Sequence, residues 1–361
     1  IKNIIIDGCA IKPEYVELLA DIVKKRTALE NITFRLIDIP SESTSTLVGA
    51  LSGLSELKTI CFAFDEINDD SCEGITNLIK SSGDNLKNLS LAWSKISSSE
   101  EKEEGEYRKL SEAIGELKNL KLFELCMLSI NEKETVDLFA AIRHLTSLVR
   151  FKLFLGNISI QNEIKLFEHA ESLGESLKDM AQLVTLDLSG MKLPKDVMQV
   201  LAQNIRYLKN LKYLDISGNS IDQETAEIMA DSLKENEELK TFVVNGCGLT
   251  AQTFGTLVKT IGNSKVSILY ARDNFIKEGI KNLSVKSMTD LQLIDFSKND
   301  LNFNVVMEFI ELTAGHPKLQ AVNFSENYDI DALDSVDKKI KRDELENWKR
   351  ENKCHTAFLG L

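Results

Sequence analysis

Along residues 211–221 apolar side chains stand at Leu211, Leu214, Ile216 and Ile221, and a polar Asn219 stands between the last two. Leu214 and Ile216 alternate with polar neighbours at the period of a strand, so both point to one face. Leu211 and Ile221 bracket that strand and fill the same interior. Asn219 falls where the strand ends and backbone amides and carbonyls lose their ladder partners. A buried carboxamide both donates and accepts, and can serve them.

The same pattern begins at Ile1, Leu29, Leu57, Leu86, Leu120, Leu148, Leu183, Leu211, Leu239, Val266, Leu291 and Leu319, mostly at spacings close to 28 residues. It predicts twelve parallel strands, each followed by a helix that returns the chain, because one such unit cannot bury its apolar face alone. Helical stripes follow several strands: Val16, Leu19, Ile22 and Val23 after Pro13; Val197, Val200, Leu201 and Ile205 after Pro194; Ala226, Met229 and Leu233 after a capping Asp222. The fourth and sixth units are longer. One holds the acidic run Ser97–Glu104, read as a solvated face, and the other a helix around Ile164, Phe167 and Leu173. The tenth, from Val266, is shortest and predicts a shorter outer segment. After Ile330 the repeat stops; Leu333, Val336, Ile340, Leu345 and Trp348 continue at helical spacing among charges. This divides the chain into an array over 1–330, which begins inside or at the edge of a signature, and a C-terminal capping helix with its tail over 331–361. Ala357, Phe358 and Leu359 either fold back over the cap or stay disordered.

The signature L-x-x-L-x-L-x-x-N-x-L at this period resembles the ribonuclease-inhibitor-like class of leucine-rich repeats. That class includes sensor domains of NOD-like receptors and the Ran GTPase-activating protein. The resemblance implies an α/β solenoid in the form of a horseshoe, about 12 repeats long, with a parallel sheet on the concave face and helices on the convex face. It specifies fold far better than function. Lysine outnumbers arginine 34 to 9, and Ile and Asn are abundant. This usage also resembles repeat effectors secreted by intracellular bacteria.

Repeats eight to twelve keep the turn slot as Asn219, Cys247, Asn274, Asn299 and Asn327, whereas repeats two to seven carry Ile37, Asp65, Ser94, Leu128, Gly156 and Met191 there. Less regular turns are expected in the first half. The preceding slot reads Leu36, Phe64, Trp93, Met127 and Leu155, then Gly190, Gly218, Gly246, Asp273, Lys298 and Glu326. Two accounts compete for the apolar row. If the strands run on, it alternates back into the core; if the chain turns as usual, it lines the rim of the sheet as a contact stripe. The missing asparagines favour the first.

A net charge of −13 argues against nucleic acid as a partner, and no apolar run is long enough to span a membrane. Six scattered cysteines form no pairing framework and are expected as thiols in a reducing compartment, with Cys9 and Cys247 on the asparagine slot. Phosphate-loop, dinucleotide, zinc-protease and nucleophile-elbow motifs are absent; the four histidines are dispersed, and the adjacent Cys354 and His355 make a poor metal site. No cofactor, metal or catalytic residue is expected.

What remains is the open sheet face. Its outward positions include Asp187, Tyr213, Asp215, Tyr270, Arg272, Asp273, Asp295 and Asn323, with Glu124, Arg150, Lys152 and Phe154 in the first half. Aspartate after the second leucine is common in such repeats, so a solvated surface weighs evenly against a binding role. Tyr213, Tyr270 and Arg272 depart from that consensus and are of types favoured at hot spots. The expected contact residues are Arg150, Lys152, Phe154, Tyr213, Asp215, Tyr270 and Arg272, joined by Phe64 and Trp93 under the rim account. The chain reads as a cytoplasmic protein-recognition module of sensor or effector type, in a host cytoplasm if bacterial. The alternative is a targeting or regulatory arm of an enzyme or GTPase regulator whose active part lies outside this chain.

Overall fold

The structure, a computed structural model, describes residues 1–37, 39–97, 105–159, 172–262, 264–327, 335–351 and 355–360. Ser98–Glu104, Ile164, Phe167, Ile330, Leu333 and Cys354 lie outside them, as do the side chains of Ile37, Val336 and Ile340. The chain divides into two compact units, Ile1–Leu183 and Val184–Leu361.

Among the described residues the first unit holds six parallel strands, each paired with the next: β1 (Asn3–Ala10), β2 (Asn31–Ile37), β3 (Thr59–Asn68), β4 (Asn88–Ser97), β5 (Leu122–Asn131) and β6 (Arg150–Ser159). Helices Pro13–Lys24, Ser41–Leu51, Asp69–Ser82, Glu106–Gly115 and Glu132–Ile142 return the chain. Ile32, Ile60, Leu89, Phe123 and Phe151 form one buried row; Phe34, Phe62, Leu91, Leu125 and Leu153 form the next. Stacked ring pairs run along these rows, Phe34 on Phe62 at 5.9 Å and Phe123 on Phe151 at 6.0 Å.

Among the described residues the second unit holds seven short parallel strands: β7 (Thr185–Asp187), β8 (Tyr213–Asp215), β9 (Thr241–Val243), β10 (Ile268–Tyr270), β11 (Leu293–Asp295), β12 (Ala321–Asn323) and β13 (Ala357–Leu359). Leu186, Leu214, Phe242, Leu269, Ile294 and Val322 are their buried central residues. Helices Lys195–Asn204, Gln223–Leu233, Ala251–Ile261, Phe303–Leu312 and Ser335–Glu351 follow, and the short tenth unit replaces its helix by 3₁₀ segments at Lys277–Asn282 and Val285–Ser287. All twelve expected strands are present, each starting about two residues after its first apolar position. The fold is an α/β leucine-rich repeat solenoid.

The two units differ because of what stands at the turn. In the second, Gly190, Gly218 and Gly246 sit at φ of 72°, 70° and 59°, and Asp273, Lys298 and Glu326 occupy the same left-handed position at 59°, 58° and 60°. That conformation is ready for glycine and costly for bulky side chains. The first unit has Leu36, Phe64, Trp93, Met127 and Leu155 there. The chain does not turn: β3 to β6 run on for 10 residues each, and the row alternates inward, with Phe64 4% and Trp93 2% exposed. The core account holds, and Phe64 and Trp93 are corrected from contact candidates to core residues. β3 and β5 pass directly into helices. Asn68, last residue of β3, accepts the Ser71 amide at 2.9 Å as an N-cap, and Asn131, last of β5, forms a capping box with Glu134.

In the second unit the turn asparagines are buried and bridge consecutive repeats. Asn274 donates to the carbonyls of Val244 and Ala271 at 2.9 and 3.1 Å and accepts the amides of Cys247 and Leu249 at 2.9 and 3.0 Å. Asn327 donates to Phe296 and Phe324 and accepts from Asn299 and Leu301 in the same way. Repeat seven was expected to be irregular because Met191 fills its slot. It turns like its successors, since Gly190 supplies the backbone conformation and Asn219 of the next repeat reaches back to the Leu193 amide and the Leu188 carbonyl.

One further expectation changes. Ile22 is exposed rather than inward, on the flank of Pro13–Lys24 with Tyr15 and Leu18. Cys9 is exposed within β1, beside a register shift and after a left-handed Gly8 at φ 68°, and its thiol donates to the Asp7 carbonyl at 3.4 Å. The tail folds back: Ala357–Leu359 pairs with β12, and Phe358 stacks on Phe324 at 6.4 Å.

Candidate functional site

The open face of the second unit is built from the outward residues of each three-residue strand and of the turn after it. Aspartates stand at Asp187, Asp215 and Asp295, and Asn323 takes the same place on β12. Each locks its own turn. Asp187 Oδ1 accepts the amide and hydroxyl of Ser189 at 3.1 and 2.7 Å; Asp215 Oδ1 accepts the Ser217 amide at 2.9 Å; Asp295 Oδ1 accepts both groups of Ser297 at 2.8 and 2.6 Å; Asn323 Oδ1 does the same for Ser325 at 3.1 and 2.8 Å. This is an Asx turn, in which a short acceptor side chain bonds the backbone two residues on.

Two adjacent strands break the pattern. β9 has Val243 and β10 has Tyr270 in the aspartate position. The amides these residues leave unserved are taken by side chains of the preceding repeats: Asn245 donates its amide to Ser217 Oγ at 3.1 Å, and Arg272 donates its amide to Asn245 Oδ1 at 2.8 Å. The turns are kept, and the two positions are released from their structural task.

The result is an apolar and aromatic patch. Tyr213, Thr241, Ile268 and Leu293 stand in register across β8 to β11, and Asp215, Val243, Tyr270 and Asp295 form the row beside them. Val243 is only 4% exposed although it faces outward, so its cross-strand neighbours cover it. The Tyr213 hydroxyl donates to Asp215 Oδ2 at 3.2 Å. Burial, then the nearby Asp215 and Asp187 charges, hold its pKa above the ordinary tyrosine value, so it stays a neutral phenol. Arg272 lies across the next row, its Nη1 on Ser297 Oγ at 3.0 Å and its Nη2 on Glu326 at 2.6 Å.

Of the residues singled out from the sequence, the structure brings Tyr213, Asp215, Tyr270 and Arg272 together in this unit. Arg150, Lys152 and Phe154 lie along β6 of the other unit, where Lys152 is in register with Glu124 and Phe154 with Cys126. Arg150 is exposed, and Lys152 and Phe154 are half-buried. Val243, Ile268, Leu293 and Asn245 were missed. Their signal is the D-x-S or N-x-S triplet at 187–189, 215–217, 295–297 and 323–325, which is interrupted at 243–245 and 270–272. Among the described residues no three His, Cys, Asp or Glu side chains cluster as metal ligands, and no helix is long and apolar enough to cross a membrane.

Residues 210–231 match the Leucine Rich Repeat family model, and the repeated strand, asparagine turn and returning helix place these units in that repeat type. No curated protein sequence matches the chain. Similar solved structures include TLR13 in a TLR13-ssRNA13 complex, at 17% identity and a TM-score of 0.45, over 90% of this chain and 39% of that one. The chain thus spans well under half the length of that protein. Another is the internalin inlF of Listeria monocytogenes, at 16% identity and a TM-score of 0.34, over 76% of this chain and 82% of that one. The family match covers residues 210–231, and the fold of both units is that of a leucine-rich repeat array.

Proposed function

We propose that the chain is a protein-recognition module of sensor or effector type and that it binds its partner through the open sheet face. The observation that carries this is the release of Val243 and Tyr270 from the turn-locking position, with Ser217 and Asn245 doing that task instead. Residues kept for the fold follow the Asp-x-Ser pattern; these two do not, and they centre an aromatic patch of the kind that supplies binding anchors. Tyr213, Asp215, Tyr270 and Arg272 are the contact residues of the second unit. Arg150, Lys152 and Phe154, outward on β6, are assigned to the same role in the first. Cytoplasmic residence is proposed on the five described cysteines, all free thiols.

The test compares partner affinity and melting temperature for Tyr270→Ala, Phe154→Ala and Asp295→Ala, with a partner recovered on the immobilised chain. Tyr270→Ala and Phe154→Ala should weaken binding about tenfold or more and leave the melting temperature unchanged. Asp295→Ala should lower the melting temperature through its turn. Unchanged affinity in the first two moves the site to the helices.

A further inference from the structure

We infer that the segment recognised by the second unit is apolar and basic: a protein segment that lays an aliphatic or aromatic stripe on Tyr213, Ile268 and Tyr270 and carries lysine or arginine on both flanks. The inference rests on the sheet-face reading above and adds the chemistry of the partner.

The argument is one of charge placement. Asp215, Val243, Tyr270 and Asp295 stand in one row on four consecutive strands, so the two carboxylates bracket the apolar pair. Three strand spacings of ~4.8 Å put them roughly 14 Å apart. Each is oriented by its turn lock, which uses Oδ1 and leaves Oδ2 outside the lock. Asp215 Oδ2 takes the Tyr213 hydroxyl, and a carboxylate oxygen accepts more than one donor.

The cations nearby are already engaged. Arg272 is held first by Glu326 and by Ser297, with Asp295 and Asp273 as weaker electrostatic neighbours, and Lys298 pairs with Asp273 at 3.3 Å. Lys212 and Lys240, just before β8 and β9, stand at the other end of the strands, where they add weakly to the Lys265 charge on Glu238. A cationic segment therefore meets preoriented carboxylates, and an acidic one meets repulsion on both sides. The chain's net charge of −13 favours the same partner at long range.

The probe is a displayed library of random dodecapeptides selected on the whole chain, followed by affinity measurements on the enriched peptides. Asn323 shows that asparagine keeps the turn lock, so the Asp215→Asn, Asp295→Asn double variant removes charge while sparing the fold. Enriched peptides should carry lysine or arginine on both sides of apolar residues. They should lose about tenfold or more in affinity on the double variant, again on Tyr270→Ala, and further on raising salt from about 50 to about 300 mM. Peptides weakened by Tyr270→Ala but indifferent to the double variant and to salt overturn the charge inference and leave the sheet-face reading standing. Peptides indifferent to Tyr270→Ala overturn both.

Discussion

The side-chain oxygen of Asn245 accepts the backbone amide of Arg272 at 2.8 Å across the step from β9 to β10. It stands in for the aspartate that Tyr270 displaces. Asn245→Ala should leave that amide without its acceptor and cost about 1–3 kcal/mol. Tyr270→Asp should supply a local acceptor, so Asn245→Ala combined with Tyr270→Asp should be less destabilised than Asn245→Ala alone. Denaturant midpoints of the four proteins in the cycle measure this coupling. Strict additivity would show that the two residues do not share the task.

Trp93→Ala tests the long-strand half. The indole is buried at the slot where the second unit turns, among Phe64, Met127 and neighbours in the same inward row. Its removal should cost about 3–5 kcal/mol, measured as a loss in unfolding free energy. A variant with unchanged stability would place the ring on the rim.

Most of the fold was legible because its period is set by burial. Leu214 and Ile216 face inward for the same reason as their counterparts in every other repeat, and one wrong register would expose them all. The strand lengths were half legible. Phe64 and Trp93 cannot easily take the left-handed conformation that Gly218 adopts at 70°, but whether the strand would continue depended on side chains 28 or more residues away. The site was less legible still. Tyr270 stood out by type, whereas Val243 looked like an ordinary strand residue. Its meaning lies in the hydrogen bond from Asn245 to Ser217, which joins two repeats, and its one trace in the sequence is the interrupted Asp-x-Ser triplet at 243–245.

Asp222 gives a pH test. It caps the helix Gln223–Leu233 through the Thr225 amide at 2.9 Å and pairs with Lys195 at 2.8 Å. The Lys195 ammonium first, then the Thr225 amide, hold its carboxyl at about 2, below the ordinary aspartate value. A depressed folded-state pKa contributes stability above about pH 4 that is lost as pH falls toward 2. The pair is largely exposed, so the charge itself should be worth well under 1 kcal/mol. Asp222→Asn keeps a capping acceptor. Its melting temperature should fall slightly below the parent at pH 6 and converge with it near pH 2. Asp222→Ala loses the cap as well and should cost about 1 kcal/mol at neutral pH. A gap between parent and Asp222→Asn that does not narrow in acid would contradict the assignment.

The cysteines separate by accessibility. Cys72 and Cys247 are buried, and burial pushes the Cys247 thiol up to about 12. Cys9 is exposed on β1. Alkylation of the native protein near pH 8 should modify Cys9 first and leave Cys72 and Cys247 unmodified until unfolding. Titration of the denatured, unreduced chain should find six thiols; a markedly lower number would reveal pairing.

Strand β13 closes the second unit, and its removal should be felt in the repeat before it. Ala357 donates its amide to Gln320, Leu359 accepts from Phe324, and Thr356 Oγ1 donates to the Leu319 carbonyl at 3.0 Å. Phe358 stacks on Phe324, which with Val322 is fully buried. Deleting residues 355–361 removes these partners and uncovers one side of β12, at a cost of about 2–3 kcal/mol for the apolar contact alone. Deleting 331–361 also removes the helix Ser335–Glu351, whose Leu345 is buried, and should cost more. Both truncations should melt earlier than the parent, and the longer one should aggregate on heating, because an unpaired parallel strand with apolar neighbours is a template for association. A long truncation that melts at the parental temperature and stays monomeric would show that this segment does not act as a cap.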